Sequence, residues 1–343
     1  MKDSIFSASL RSFFVSFCCV LGIFLAFVPI VLAFSFFESA EETVPSEYNV
    51  KILPNAEGVR KKEAKDAPVV LQINVHGVIG AEGLTDYDIR NLLVESRENT
   101  LKNNRVKAIL LHCNTPGGGM VDADGIYRAL KEYKDRYQVP IYAYVDGLLA
   151  SGGMYIAAAA DEIHANDISL IGSIGVVTTG IFNVSGLMDK LGVESLTLYA
   201  GKGKDDLNPF RPWKPDESAN YKSIIDYYYQ SFVNLVLASR PKLNKDLLID
   251  QLGAHVFPAQ QALDYGLVDV TGASRDTTLK KLLTKIGIED NYYQVVELSS
   301  SNWLSQLFKA DSPVLNGKIK HQLSLGNDLP AALSNQPLSL YQP

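Results

Sequence analysis

The chain is poor in the residues that build disulfide frameworks and metal centres. Three cysteines occur in 343 residues. Cys18 and Cys19 are adjacent within an apolar N-terminal run, and Cys113 is alone in the rest of the chain. A solitary thiol there has no second cysteine to pair with, which excludes an intrachain disulfide framework in that region. The five histidines (His76, His112, His164, His255 and His321) are scattered, and neither HExxH nor CxxC occurs. No metal-ligand spacing is present, so no metal or other cofactor is expected. Basic tracts are missing too. A formal net charge of −6 gives no reason to expect nucleic acid as a partner. The phosphate-loop pattern GxxxxGK[ST] is absent as well.

What is present suits a globular protein carrying one membrane segment: 47% hydrophobic and 20% charged residues. The length allows one large domain or two small ones. Residues 12–37 form a run of 26 without a charge. As a helix it would span roughly 39 Å, enough to cross a bilayer with some tilt, and Pro29 is expected to kink it. A cleaved signal peptide would carry a shorter apolar region, about 7–15 residues, ending in a small-x-small site. Here Val31-Leu32-Ala33 is only a passable site and apolar residues continue past it. An uncleaved anchor is therefore expected. Lys2 and Arg11 precede the run, while Glu38, Glu41, Glu42 and Glu47 follow it before Lys51. Positive charge stays cytoplasmic, so the bulk of the protein is expected outside the cytoplasm.

Residues 38–66 are polar and aperiodic and read as a linker. From residue 69 the pattern alternates. Strands are expected at 69–75, 106–113, 140–145 and 161–165, and helices at 85–99 (Thr85 as N-cap), 121–137 and 150–160. That alternation argues for an α/β core with parallel pairing. His112 and Cys113 are neighbours in a strand, so they face opposite ways and read as packing residues, not as a Cys–His site. Helices are expected further on at 216–239, 247–252, 259–265 and 277–286. Tyr221, Ile225, Tyr228 and Phe232 form a core stripe on the first of these. Residues 299–343 read as a weakly structured tail with one amphipathic turn at 303–308.

Three motifs carry chemistry. Ser151 lies in Leu148-Leu149-Ala150-Ser151-Gly152-Gly153, at the start of an alanine-rich helix. Asn114-Thr115-Pro116-Gly117-Gly118-Gly119 reads as a strand-to-helix loop whose backbone N–H groups could cradle an oxyanion. Gly201-Lys202-Gly203-Lys204-Asp205 supplies two lysines. Each has an ordinary reading alone: helix cap, turn, solvated charges. Together they point to a serine–lysine peptidase. A serine hydroxyl needs a base to take its proton. A free lysine holds its proton well above pH 7. Exclusion of water must weaken that hold by roughly 4 kcal/mol before a lysine can act as base near neutrality. Spacing alone does not choose between Lys202 and Lys204, which would face the same side of an extended segment.

These motifs, in this order, resemble those of the signal peptide peptidase A family of membrane-anchored serine proteases, over about residues 69–288. The family's Asn-Ser-Pro-Gly-Gly appears as Asn114-Thr115-Pro116-Gly117-Gly118, with threonine for serine. Its Ala-Ser-Gly-Gly-x-Tyr resembles Ala150 to Tyr155, its Gly-Ser-x-Gly-Val resembles Gly172 to Val176, and its Gly-Lys-x-Lys-Asp resembles Gly201 to Asp205. Pro209-Phe210-Arg211 is similar to a further family motif. The resemblance implies Ser151 as nucleophile, Lys204 as base, Ser173 as the residue that orients the lysine, and Gly117, Gly118 and Gly152 as the oxyanion hole. It implies a Clp protease/crotonase-like spiral of strand–strand–helix repeats after one N-terminal transmembrane helix. It also implies a homo-oligomeric ring with sites near subunit boundaries, where Lys204 could serve the Ser151 of an adjacent chain. The expected layout is an anchor at 1–37, a linker at 38–66, a protease domain at 67–298 and a tail at 299–343. The expected role is degradation of cleaved signal peptides and other apolar, extended peptides by a single-pass protein of the bacterial cytoplasmic (inner) membrane, with the protease domain on the extracytoplasmic side. A Clp-type Ser-His-Asp site would need a histidine near position 176, where Val176 stands. An acyl-CoA enzyme or a non-catalytic membrane scaffold on the same fold are the alternatives. The intact set of Ser151, Ser173 and Lys204 argues against the scaffold.

Overall fold

The computed structural model describes residues 13–18, 21–22, 48–300 and 338–340. The chain divides into two compact units, Met1–Ser46 and Glu47–Pro343. In the first, residues 13–18 and 21–22 are helical. Most of the expected anchor lies outside the described residues, as does the expected turn at 303–308. Among the described residues no helix is long and apolar enough to cross a membrane.

The second unit is a mixed α/β fold around one sheet. Its centre is three parallel strands, β2 (Val69–Ile79), β3 (Val106–Gly119) and β4 (Ile141–Ala150). On one side β8 (Gln294–Ser300) pairs parallel with β2, and β1 (Tyr48–Leu53) pairs antiparallel with β8. On the other side β4 divides its pairing. Tyr142 to Val145 pair with β5 (Glu162–Ala165), and Leu148 to Ala150 pair with β6 (Leu170–Gly172). β7 (Val256–Pro258) lies antiparallel to β6.

Helices cover both faces, which is why the central strands read as almost continuous apolar runs. Leu71, Ile73 and Val75 share one core with Ile89 and Leu93 of α1 (Asp86–Glu95) and Ile126 and Leu130 of α2 (Met120–Tyr137). That core also takes in α3 (Gly152–Ala157) and Phe232 of α5 (Ala219–Ser239). Val70, Ala108 and Leu110 belong to the other core, under Leu279 and Leu282 of α7 (Arg275–Lys285). Between these helices come α4 (Ser185–Leu191) and α6 (Ala259–Asp264). Thr85 caps α1 as expected. Its hydroxyl accepts from the Asp88 N–H, and the Asp88 carboxylate accepts from the Thr85 N–H, both at 3.1 Å.

Several expectations need correction. Residues 114–119 are the last six residues of β3, not a loop. Glycine makes this possible, because a Cβ on Gly118 would overlap the backbone of Ile79 in β2. The expected linker contains β1, which finds the free edge of β8, and Ala56 beyond it is buried. The helix expected at 150–160 shortens to Gly152–Ala157, because β4 runs on through Ala150 and the chain turns at Ser151. Leu247–Leu252 winds as a π-type turn. The expected tail contains the end of β8 and a short strand, β9 (Leu338–Leu340), paired antiparallel with Gly117–Gly119.

Candidate active site

β4 and β6 end side by side. Ala150 is paired with Gly172, and each strand is followed by a serine. Ser151 and Ser173 both have left-handed backbone, at φ 56° and 55°. Such a conformation costs a non-glycine residue on the order of 1–3 kcal/mol and persists only where its surroundings hold it. Two backbone bonds do so here. The Ser151 N–H donates to the Gly172 carbonyl (2.9 Å), and the Ser173 N–H donates to the His255 carbonyl (2.7 Å). Ser151 is 1% exposed and Ser173 is also buried. The structure therefore brings together two serines that lie 22 positions apart in the sequence (173 − 151).

Glycine allows α3 to dock against β3 immediately after Ser151. A Cβ on Gly152 would lie 3.4 Å from the Gly118 nitrogen and 3.1 Å from Ile79 Cδ1. A Cβ on Gly153 would lie 2.6 Å from Thr115 Cγ2. Gly118 and Gly152 thus meet beside Ser151, as an oxyanion cradle would require. Gly117 differs from the expectation. Its N–H donates to Thr115 Oγ1 at 3.0 Å, and that hydroxyl donates to the Gly77 carbonyl at 2.5 Å. The Gly117 N–H is spent on holding the strand, which leaves Gly118 and Gly152 as the candidate oxyanion donors. Gly117 sits at φ 99°, so glycine is needed there for its backbone alone.

Tyr155 fixes the far end of this turn. Its hydroxyl donates to Asp124 Oδ1 at 2.7 Å, and its ring packs against Tyr127 and Phe232. Burial, together with that bond to Asp124, pushes the phenol well above its ordinary pKa, so it remains a donor. Cys113 and His112 do face opposite sides. The Cys113 thiol is buried and pushed up to about 12 by desolvation and then by the charge of Asp146. His112 Nε2 lies 2.7 Å from Asp146 Oδ2 on the other face.

Lys202 and Lys204 lie elsewhere in character. Both are exposed, on the segment between α4 and α5. The expectation of a lysine buried in an apolar pocket is not met within the single chain. On the same segment large apolar side chains stand in water: Leu196 (84% exposed) and Leu198 (86%). The segment is nevertheless pinned. Arg211 meets Asp205 (Nε to Oδ2, 2.6 Å) and Glu217 (Nη1 to Oε1, 2.7 Å). Hydrogen bonds from Arg211 and then Asn208 hold the Asp205 carboxyl below the usual range. Burial raises Glu217, but the Arg211 bond and charge, together with backbone N–H groups such as that of Leu207, outweigh it, so that carboxyl too ends low. Sequence reasoning missed this clamp, although Pro209-Phe210-Arg211 was its visible trace. It also missed the Thr115 stitch, whose only signal was a hydroxyl residue two places before Gly117.

Residues 134–289 match Peptidase family S49. Over that stretch, under half of the chain, it is similar to this family. The match takes in Ser151, Ser173 and Lys204. An Enterococcus faecium protein provisionally named signal peptide peptidase SppA is 32% identical over 62% of this chain and 63% of its own length. The chloroplastic serine protease SPPA of Arabidopsis thaliana is 30% identical over 62% of this chain and 31% of its own. The chain therefore spans less than two thirds of either relative. A solved ClpP1 mutant from Listeria monocytogenes covers 60% of this chain and 94% of its own, with a TM-score of 0.40 and 16% identity.

Proposed function

We propose that this protein is a serine endopeptidase in which Ser151 of one chain is served by Lys204 of a neighbouring chain. The observation that carries this is the junction of β4 and β6: two serines held in left-handed backbone, with Gly118 and Gly152 closing beside the first. Ser151 Oγ attacks the scissile carbonyl and its proton passes to Lys204 Nζ. The Gly118 and Gly152 N–H groups hold the oxyanion. Collapse breaks the C–N bond, and Lys204 returns the proton to the departing amine. Water, deprotonated by Lys204, then releases the acyl group from Ser151. Ser173 accepts a hydrogen bond from Lys204 and orients it.

Lysine works as a base only where water is kept away. The exposed apolar segment around Lys204 supports a second copy of the chain as the cover, in a homo-oligomeric ring. The spiral of Clp proteases and crotonases is the fold this reading carries. Substrates are peptides that enter as extended strands, with cleaved signal peptides and other apolar segments as the class. The charge-free run at 12–37 is the transmembrane anchor, tethering the protease domain to the extracytoplasmic face of a bacterial cytoplasmic membrane.

The test uses the full chain in detergent, an apolar signal-peptide-like substrate and a fluorophosphonate probe. Hydrolysis and labelling at Ser151 are expected. Ser151→Ala should lower turnover by at least about a thousandfold with the melting curve unchanged. A wild-type chain that neither hydrolyses the peptide nor takes the label contradicts the proposal.

A further inference from the structure

We propose that Asn114 is a positioning residue, which holds a two-residue excess in β4 and so sets Ser151 in register with the candidate oxyanion donors. Its bearing on catalysis rests on the reading of Ser151 as a peptidase nucleophile. β3 and β4 run parallel at a constant offset of 32 from Ile109–Ile141 to Cys113–Val145 (145 − 113). The next pair, Thr115 with Leu149, has an offset of 34 (149 − 115). Three residues of β4, Asp146 to Leu148, therefore stand opposite Asn114 alone. Bulges of this kind are over-represented beside active sites, where they re-aim a side chain.

The excess decides where the serine comes to rest. At the offset of 34, Ser151 is level with Gly117 and Gly152 with Gly118, where the Cβ position of Gly152 lies 3.4 Å from the Gly118 nitrogen. At the offset of 32, Ser151 would be level with Gly119. The difference is two residues, roughly 7 Å along a strand, and displacements of about 1 Å already cost a catalytic site heavily. The same three residues are where β4 leaves β5, after Val145, and takes up β6, from Leu148. That exchange puts Ala150 beside Gly172, and so the two serines that follow them side by side.

On the β3 side, side chains hold the excess in place. Asn114 Oδ1 accepts from the Leu148 N–H at 3.1 Å. Asp146 Oδ2 lies 2.7 Å from His112 Nε2, and the His112 ring is backed by the His76 ring, 4.6 Å away between centroids. Gly147 leaves room for the Asn114 amide, because a Cβ there would lie 2.6 Å from Asn114 Oδ1 and 2.8 Å from its Cγ. Asn114 is exposed, so replacing it removes the bond to Leu148 without opening the core.

The test is made in the full chain in detergent and has one readout that needs no catalysis, the hydrogen exchange of residues 146–152. Asn114→Leu keeps the size of the side chain and removes the acceptor. It should speed exchange at 146–152 at least severalfold, leave the earlier parts of β3 and β4 and the melting curve nearly unchanged, and lower kcat at least about tenfold with little change in KM. Asn114→Asp keeps an acceptor oxygen at the same reach and should bring both readouts back near wild type. Gly147→Ala should reproduce the effects of Asn114→Leu, because its methyl group displaces the amide. It should add almost nothing to Asn114→Ala, where no amide is left to displace. Unchanged exchange in Asn114→Leu overturns the inference, whatever the turnover assay shows. Faster exchange with kcat intact overturns it too, as does full additivity of Gly147→Ala with Asn114→Ala. Exchange that behaves as expected in a chain whose wild type has no turnover supports the register role of Asn114 and counts against the peptidase reading alone.

Discussion

Ser151 and Lys204 sit in surroundings of opposite character. The serine is buried where two parallel strands end, under a helix packed so closely that a Cβ at 153 would overlap Thr115. The lysine is exposed on a segment that leaves Leu196 and Leu198 in water. The first region is finished by one chain. The second is held in shape by Arg211 but not covered. Apolar surface left in water forgoes about 25 cal/mol per Å², and contiguous exposed patches mark contact surfaces. On the proposed reading, the contrast makes one half of the site a product of folding and the other half a product of assembly.

Three changes break or sharpen this contrast. The largest effect is expected in the serine half. Gly153→Ala forces a methyl group against Thr115 Cγ2, which lies 2.6 Å from the new Cβ position. It should destabilise the fold by about 1–3 kcal/mol, read by urea melts, at every protein concentration. Arg211→Ala acts on the lysine half. It strips Asp205 and Glu217 of their partner and should lower turnover roughly tenfold by loosening the segment that positions Lys204, while the urea melt barely moves. A large loss of stability in Arg211→Ala would erase the distinction between the halves. The smallest effect is in acid. His164 is buried between Glu162 (2.8 Å) and Thr278 (3.2 Å), and its pKa is lowered by desolvation despite the Glu162 bond. The folded state then takes up its proton at lower pH than the unfolded chain, whose histidine titrates near 6.5. Stability from this group is complete above about 6.5 and is lost as pH falls through the lowered value. The melting temperature should drop by a few degrees between pH 7 and pH 5.5, and His164→Gln should flatten that slope. An unchanged slope would remove His164 as its source.

The central strands were legible because both faces are covered and the apolar runs are unbroken. Thr85 announced α1 through its cap. β1, β8 and β9 were not legible. β1 and β9 are edge strands and β8 lies between β1 and β2, and pairing partners far away in sequence decide all three more than local preference does. Ser151, Ser173, Gly118 and Gly152 could be nominated by residue type and motif. The bond that takes the Gly117 N–H could not, because it depends on Thr115 being carried to Gly77 by the pairing of β2 with β3. Lys204 could be nominated too, but the single chain leaves it exposed, so its burial could not be read from one copy.

The most direct measurement mixes two inactive proteins, Ser151→Ala and Lys204→Ala, dissociated and reassembled at equal concentration. If each serine is served by a neighbour's lysine, random mixing rebuilds about one intact site in four, and turnover should return to about that fraction of wild type. Mixed assemblies that form but stay inactive would contradict the account.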